Sequence, residues 1–289
     1  MKDFTILAHN YVRPEVQAMA DFVGDSLELA QKAKLVTTEY LVFAGVDFMA
    51  EMAAIVNPSK KVIHPEPFSM CAMASRVTPE MIVAARKNYP KAAVVTYVNS
   101  SAAVKAVSDI ICTSANAVKV VNSLEEKQII FAPDRNLALY VARNTDKQVI
   151  PVPALGCCPV HHSLTVQDIR DRLVEYPGAE VIVHPETIPE VQDIADFIGS
   201  TSAMARHAKT TTAEVIIVGT EVGMLTRLKK ESPDKIYVAA SPLLSCADMK
   251  MITVEKIETA IRAKAPIVQV DPVVAEGARR ALERMLAVS

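Results

Sequence analysis

The run Pro14-Glu15-Val16-Gln17, followed by Ala20-Asp21-Phe22-Val23-Gly24 and Ser26, returns as Pro189-Glu190-Val191-Gln192, Ala195-Asp196-Phe197-Ile198-Gly199 and Thr201-Ser202. Each copy follows a strand-like run ending in histidine, Ala8-His9 in one case and Val183-His184 in the other, so strand, loop and helix all correspond. Words repeated together with their local structure mark a duplicated folding unit. Cys71, Cys158 and Cys246 add a second regularity, standing 87 and 88 residues apart. One thiol per repeat divides the chain into three units, 1–75, 76–162 and 163–289, with a closing helical segment after Thr253. The middle unit shares the pattern of the other two but not their words.

Within the units, short β-type runs alternate with helical patterns. Strands are expected at 5–8, 40–44, 61–64, 93–98, 109–112, 128–132, 148–152, 180–184, 214–218, 235–239 and 266–270. Most are continuous apolar runs, such as Val215-Ile216-Ile217-Val218, which suit strands buried on both faces of a parallel sheet. Helices expected at 15–32 and 166–176 would cover those faces. Thr78-Pro79-Glu80 and Thr165-Val166-Gln167-Asp168 each place a capping hydroxyl before a first turn that carries an acid near its positive end. The expected fold is therefore α/β: three similar three-layer α/β/α units with parallel sheets, arranged with pseudo-threefold symmetry around a central site. With only 8 glycines in 289 residues, no flexible linker separates the units.

Charge excludes one class of partner. The 31 Lys+Arg and 33 Asp+Glu nearly cancel and form no basic stripe, so no nucleic acid is expected. No apolar stretch approaches the roughly 18 residues of a membrane span, and the N-terminus runs directly into a strand, so the expected location is cytoplasmic with no membrane contact. Five widely spaced cysteines in such a reducing compartment argue for metal binding or chemistry over a disulfide framework.

Thiols so far apart cannot build a local zinc knuckle, so a shared site has to be assembled by the fold. Three thiolates on an iron–sulfur cube would leave one iron open for water or substrate, as a Lewis-acid catalyst requires. The alternative is three unrelated buried cysteines acting as small hydrophobes. Ligands of parallel α/β sheets collect beyond the carboxyl ends of strands. There the sequence places His9, Asn10 and Tyr11, then Tyr97 and Asn99, then Thr113, Ser114 and Asn116, then His184 and Glu186. Neutral donors near helix N-termini suit a small anion bearing carboxylate or phosphate, whereas singly each could cap the next helix, as Ser114 or Ser26 could. His184-Pro185-Glu186 brings an imidazole and a carboxylate together for proton transfer, although His64-Pro65-Glu66 shows that the same tripeptide can also serve structure.

Several runs resemble quinolinate synthases: Ala8-His9-Asn10-Tyr11 through Gly24-Asp25-Ser26-Leu27, Gly45-Val46-Asp47-Phe48-Met49-Ala50-Glu51 and Thr96-Tyr97-Val98-Asn99. So do Cys112-Thr113-Ser114-Ala115-Asn116-Ala117, Gly156-Cys157-Cys158-Pro159-Val160-His161, Val183-His184-Pro185-Glu186, Gly199-Ser200-Thr201-Ser202 and Cys246-Ala247-Asp248-Met249-Lys250. Their order and spacing follow that family along nearly the whole chain. The resemblance implies condensation of iminoaspartate with dihydroxyacetone phosphate to quinolinate, with loss of phosphate and two waters, in NAD biosynthesis. It implies a [4Fe-4S] cluster on Cys71, Cys158 and Cys246, its open iron acting as Lewis acid. It further implies that His9, Ser26, Asn99, Ser114, His184, Ser200 and Thr201 hold substrate, that Tyr11 and Tyr97 position it or handle protons, and that Glu186 is the general base. An aspartate oxidase or dehydrogenase would supply the unstable iminoaspartate, as a possible transient partner.

Some positions depart from the family or leave a choice. Ala44 stands where many relatives carry a cysteine, and no cluster ligand is lost with it. Cys157 and Cys158 are adjacent, with motif and spacing favouring Cys158, and Cys112 reads as a packed thiol. Two other classes compete: a different open-iron hydro-lyase, against which the Tyr97, Asn99 and Glu186 set argues, and a non-catalytic iron–sulfur sensor or zinc scaffold, which would need neither a strand-end polar cleft nor a free iron.

Overall fold

The structure is a computed structural model that describes residues 3–288. Among the described residues twelve strands form three four-stranded sheets, every strand pair parallel. The first contains β1 (Phe4–His9), β2 (Phe22–Gly24), β3 (Tyr40–Ala44) and β4 (Lys61–Ile63). The second contains β5 (Ala93–Tyr97), β6 (Ile110–Cys112), β7 (Gln128–Ala132) and β8 (Gln148–Pro151). The third contains β9 (Glu180–Val183), β10 (Phe197–Ile198), β11 (Val215–Gly219) and β12 (Ile236–Ala239). All three have the same strand order, second, first, third, fourth, with helices in the connections. Central strands such as Leu41-Val42-Phe43 and Ile216-Ile217-Val218 are buried throughout, as continuous apolar runs require.

A small device shows that the middle unit corresponds to the others although its words differ. In each unit an aspartate just before or at the start of the second strand accepts a hydrogen bond from an amide of the first. Asp21 Oδ2 takes the Ile6 N–H at 2.8 Å, Asp109 Oδ2 that of Val94 at 2.7 Å, and Asp196 Oδ2 that of Val181 at 2.8 Å. Each aspartate returns its own N–H to the same residue's carbonyl, at 2.9, 3.0 and 2.9 Å. These second strands are only two or three residues long and lie at the edge of the sheet, so the carboxylate supplies pairing that the short ladder lacks.

The same feature corrects one expectation. A single helix over 15–32 does not form: the chain makes Pro14–Met19, then β2, then a second helix Ser26–Leu35. Ala20 is extended, Asp21 pairs with Ile6, and Asp25 opens the next helix with a capping box completed by Glu28. The repeat around Pro189–Gln192 and β10 breaks in the same way. The expected strand at 266–270 is also absent, since Ile267 makes only one isolated antiparallel bridge to Ile63. Thr78 and Thr165 do cap their helices, accepting from Met81 N at 3.4 Å and Asp168 N at 3.1 Å.

After Cys246 the chain turns back through Val254–Ala263 and ends in Pro272–Val288, which packs on Ala102–Ala106, β6 and Asp47–Val56 and so ties the third unit to the other two. A side chain at Gly277 would collide with Ala106 at 2.9 Å, so glycine sets the closeness of that contact. No helix among the described residues is long and apolar enough to cross a membrane. Asp196→Ala should leave the Val181 amide short of its charged acceptor and lower unfolding stability by about 1–2 kcal/mol, read by urea titration; unchanged stability would remove the role given to this aspartate.

Candidate active site

Parallel pairing carries the carboxyl ends of all three sheets to one cavity of about 240 Å³. Its walls include His9, Tyr11 and Ser26 from the first unit, Tyr97, Asn99 and Ser114 from the second, and His184, Glu186 and Thr201 from the third. Cys71, Cys158 and Cys246 line it as well. Of the residues expected to hold substrate or cluster, Ser200 alone stands outside the lining; it caps Thr201–Thr210 by accepting from Ala203 N at 3.3 Å, and of the further strand-end residues Thr113 lines the cavity whereas Asn10 and Asn116 do not. Ser26 and Ser114 are not caps, because Asp25 and Asn116 occupy those positions. Of the adjacent cysteine pair only Cys158 reaches the cavity, and Cys112 is fully buried in the core.

A continuous hydrogen-bonded chain crosses the cavity wall. Tyr97 donates its hydroxyl to Glu186 Oε1 at 2.5 Å, and Glu186 Oε2 meets His161 Nδ1 at 2.7 Å. His161 Nε2 lies 2.8 Å from Thr220 Oγ1, which lies 2.7 Å from the Tyr11 hydroxyl. The five groups come from all three units. Asn136 holds the main chain below Glu186, donating to its carbonyl at 2.8 Å.

Electrostatics follow from this arrangement. Glu186 is only 2% exposed. Burial opposes its charge, but the neighbouring His161, with hydrogen bonds from His161 and Tyr97, outweighs burial and holds the carboxyl well below its ordinary 4.5. Burial and the nearby Glu186 charge push both tyrosine hydroxyls, Tyr11 and Tyr97, well above 10.0. Burial lowers His9 and His184 to about 3, so both rings are neutral at ordinary pH. Each accepts at Nδ1 from an amide two residues on, Tyr11 N at 3.2 Å and Glu186 N at 3.3 Å, which leaves the proton on Nε2. Two neutral N–H donors therefore serve the cavity; that of His184 meets Ser114 Oγ at 3.2 Å. Asn99 Oδ1 is buried and has no partner among the described residues, an expense that a ligand donor would remove.

The three thiols share one local geometry. Each cysteine opens a helical turn, its carbonyl accepting from Ser75, His162 or Lys250 four residues on. Backbone N–H groups thereby point at the sulfurs: Met73 and Ala74 at Cys71, His161 at Cys158, and Asp248 and Met249 at Cys246. Burial nevertheless drives the thiols up, Cys71 to about 12, Cys158 well above 9.0 and Cys246 upward. Such thiols ionise when a positive centre joins them, and turn amides that already face sulfur then stabilise the thiolates. None of the cysteines is disulfide-bonded. Three soft donors around one cavity are a chemically suitable set for an iron–sulfur centre. Cys158, His161 and Glu186 also form a possible metal-binding group, their donor atoms lying within 4.8 Å of one another.

Sequence reading did not assign roles to His161, Thr220 or Glu221. His161 lay within a quoted run, but nothing local to the sequence pairs it with Glu186. Thr220 and Glu221 follow β11 in the position where the other strands' site residues were sought, so the strand-end rule could have found them.

The sequence profile described as "Quinolinate synthetase A protein" matches residues 1–287. The quinolinate synthase of Pyrococcus abyssi (strain GE5 / Orsay) is 49% identical over 288 residues, covering 100% of this chain and 96% of that protein. That of Methanothermobacter thermautotrophicus is 48% identical over 292 residues, covering 100% and 95%. That of Thermococcus kodakarensis is 49% identical over 284 residues, covering 98% and 93%.

Unfolded, His9 and His184 would protonate near 6.5, whereas folded they resist until about 3. Protons thus bind the unfolded chain more readily, and stability falls as pH drops through that window. Glu186 adds an acid loss only below its unfolded value of 4.5. Replacing both histidines by asparagine should flatten the fall between pH 6.5 and 4.5 in denaturant titrations; an unchanged slope would contradict neutral buried rings.

Proposed function

The chain belongs to the quinolinate synthetase A family, and from that membership we propose that it condenses iminoaspartate with dihydroxyacetone phosphate to quinolinate, releasing phosphate and two waters. The step belongs to NAD biosynthesis in the cytoplasm, with iminoaspartate coming from an aspartate oxidase or dehydrogenase. The observation that carries the reading is the shared cavity: three thiols, an ionised buried carboxylate and neutral donors for small anions face the same space.

Cys71, Cys158 and Cys246 would hold a [4Fe-4S] cluster, which when bound supplies a Lewis acid that makes a hydroxyl a better leaving group. The rest of the chemistry falls to this chain's own residues. His9 and His184 donate Nε2–H, and Ser26, Ser114 and Thr201 donate hydroxyls, to substrate carboxylate and phosphate without adding formal charge. Asn99 accepts at its unpartnered Oδ1 from a substrate hydroxyl or amine. Ser200 acts one step back, by fixing the helix start that presents Thr201.

Glu186 is the base that removes protons from carbon or nitrogen as imine and enamine interconvert. Its pairing with His161 links it through Thr220 to the Tyr11 hydroxyl, so the carboxylate and that hydroxyl stand on one hydrogen-bonded chain. Tyr97 orients the carboxylate from the opposite oxygen. Keeping bulk water out protects imine intermediates from hydrolysis.

A single metal ion on Cys158, His161 and Glu186 is a second reading, favoured by their closeness. It leaves Cys71 and Cys246 unused and would take the base out of service, so the cluster reading accounts for more of the site. Glu186→Gln should retain the iron of the unaltered protein and lose about 10²–10⁴ in quinolinate formation, whereas Cys158→Ser should lose both. Turnover retained in Glu186→Gln would remove the base assignment; iron retained in Cys158→Ser would remove the ligand assignment.

A further inference from the structure

Each thiol loop is tied to a carboxylate on a neighbouring loop. In every unit a cysteine follows the fourth strand and an acid follows the third. The amide of Cys71 donates to Asp47 Oδ1 at 3.2 Å, that of Cys158 to Asp134 Oδ2 at 3.0 Å, and that of Cys246 to Glu221 Oε1 at 3.1 Å. The partners are 24, 24 and 25 residues apart; the third unit, with one residue more, uses a side chain one methylene longer. A backbone bond accompanies each: Asp47 N to Ser69 O at 2.9 Å, Arg135 N to Gly156 O at 2.7 Å, and Val222 N to Leu244 O at 2.8 Å. In all three the accepting carbonyl stands two residues before the cysteine. The approach is so close at Gly156 that a Cβ there would lie 2.1 Å from the Pro133 carbonyl oxygen.

None of this was visible from the cysteine spacing, and thiols that serve only as packing do not need a repeated acid clamp. We propose that Asp47, Asp134 and Glu221 are positioning residues that hold the three cysteine loops in the geometry required to bind the cluster. The inference rests on the cluster reading of the site. By fixing the amide of the cysteine, each acid fixes the turn that begins there, and that turn aims its N–H groups at sulfur. Two of the acids also hold their own loops, Asp134 Oδ1 accepting from Leu137 N at 2.7 Å and Glu221 Oε2 from Gly223 N at 2.7 Å. Glu221 is further bound by Lys250 at 2.7 Å, and the same ammonium donates to the Tyr11 carbonyl at 2.5 Å. The Cys246 loop is thereby connected to the backbone of a tyrosine in the proton chain. Outer groups that orient metal ligands are worth about 10–100-fold in metal affinity when removed.

Asp47 gives the cleanest test, because it is half-buried and its carboxylate makes no other hydrogen bond among the described residues. Unaltered protein, Asp47→Ala and Asp47→Asn are loaded with iron and sulfide without oxygen, and the loss of iron to a chelator is followed by visible absorbance. Circular dichroism and thermal unfolding check the fold. Asp47→Ala should shed iron at least about tenfold faster with its fold intact, and Asp47→Asn, which keeps an acceptor for the Cys71 amide, should shed it at the unaltered rate. Iron held equally long by Asp47→Ala, or lost equally fast by Asp47→Asn, would overturn the inference while leaving the cluster reading standing. Failure of the unaltered protein to load iron would overturn both.

Discussion

Placing an ionised Glu186 in the interior is the constraint around which the site is built. A lone buried carboxylate costs several kcal/mol, and this one is tolerable because Tyr97 and His161 hold its two oxygens. Tyr97 reaches across from the second sheet, and His161 passes the contact on to Thr220 and Tyr11. The charge is therefore satisfied only when the second and third units stand together, and the chain that starts from it reaches the first unit at Tyr11. Packing of Pro272–Val288 across the first two units, and contacts such as Asn10 Nδ2 to Thr201 Oγ1 at 2.7 Å, supply the remaining closure.

Parallel sheets make such convergence economical. A parallel sheet sends all its carboxyl ends in one direction, so three copies facing inward deliver loops from many strands to a small volume. Each unit contributes a thiol after its fourth strand and a buried or half-buried acid after its third. On this basis the unit, though too small to make the site alone, is a reusable carrier for one ligand loop and one wall of a substrate pocket. The polar groups differ between copies while the scaffold does not: histidine ends the first strand of the first unit, Tyr97 that of the second, and His184 follows it in the third.

Much of this was legible in the residues. Continuous apolar runs located ten of the twelve strands, because burial on both faces leaves a strong compositional trace. The two that escaped, β2 and β10, are three and two residues long, too short for any periodicity, and are held largely by an aspartate partner. The unbroken helix expected over 15–32 failed at the same place, since Ala20 is extended and Asp21 pairs with Ile6. Ile267 and its neighbours have strand composition, but only one bridge forms there. The residues expected to hold substrate or cluster line one cavity except Ser200, whose hydroxyl is taken by its own helix, and the strand-end residues Asn10 and Asn116 stand outside it as well. His161 and Thr220 stayed hidden because their roles depend on contacts with groups far away in sequence, and so did the acid clamps on the cysteines.

The claim on which the rest depends is that three thiols from three units bind one iron–sulfur cluster. Iron and acid-labile sulfide, measured per chain on protein purified without oxygen together with its visible absorbance, test it most directly. About four of each, with the broad absorbance of a cluster, is the predicted result. Zinc in place of iron, or no metal even after anaerobic reconstitution, would contradict it.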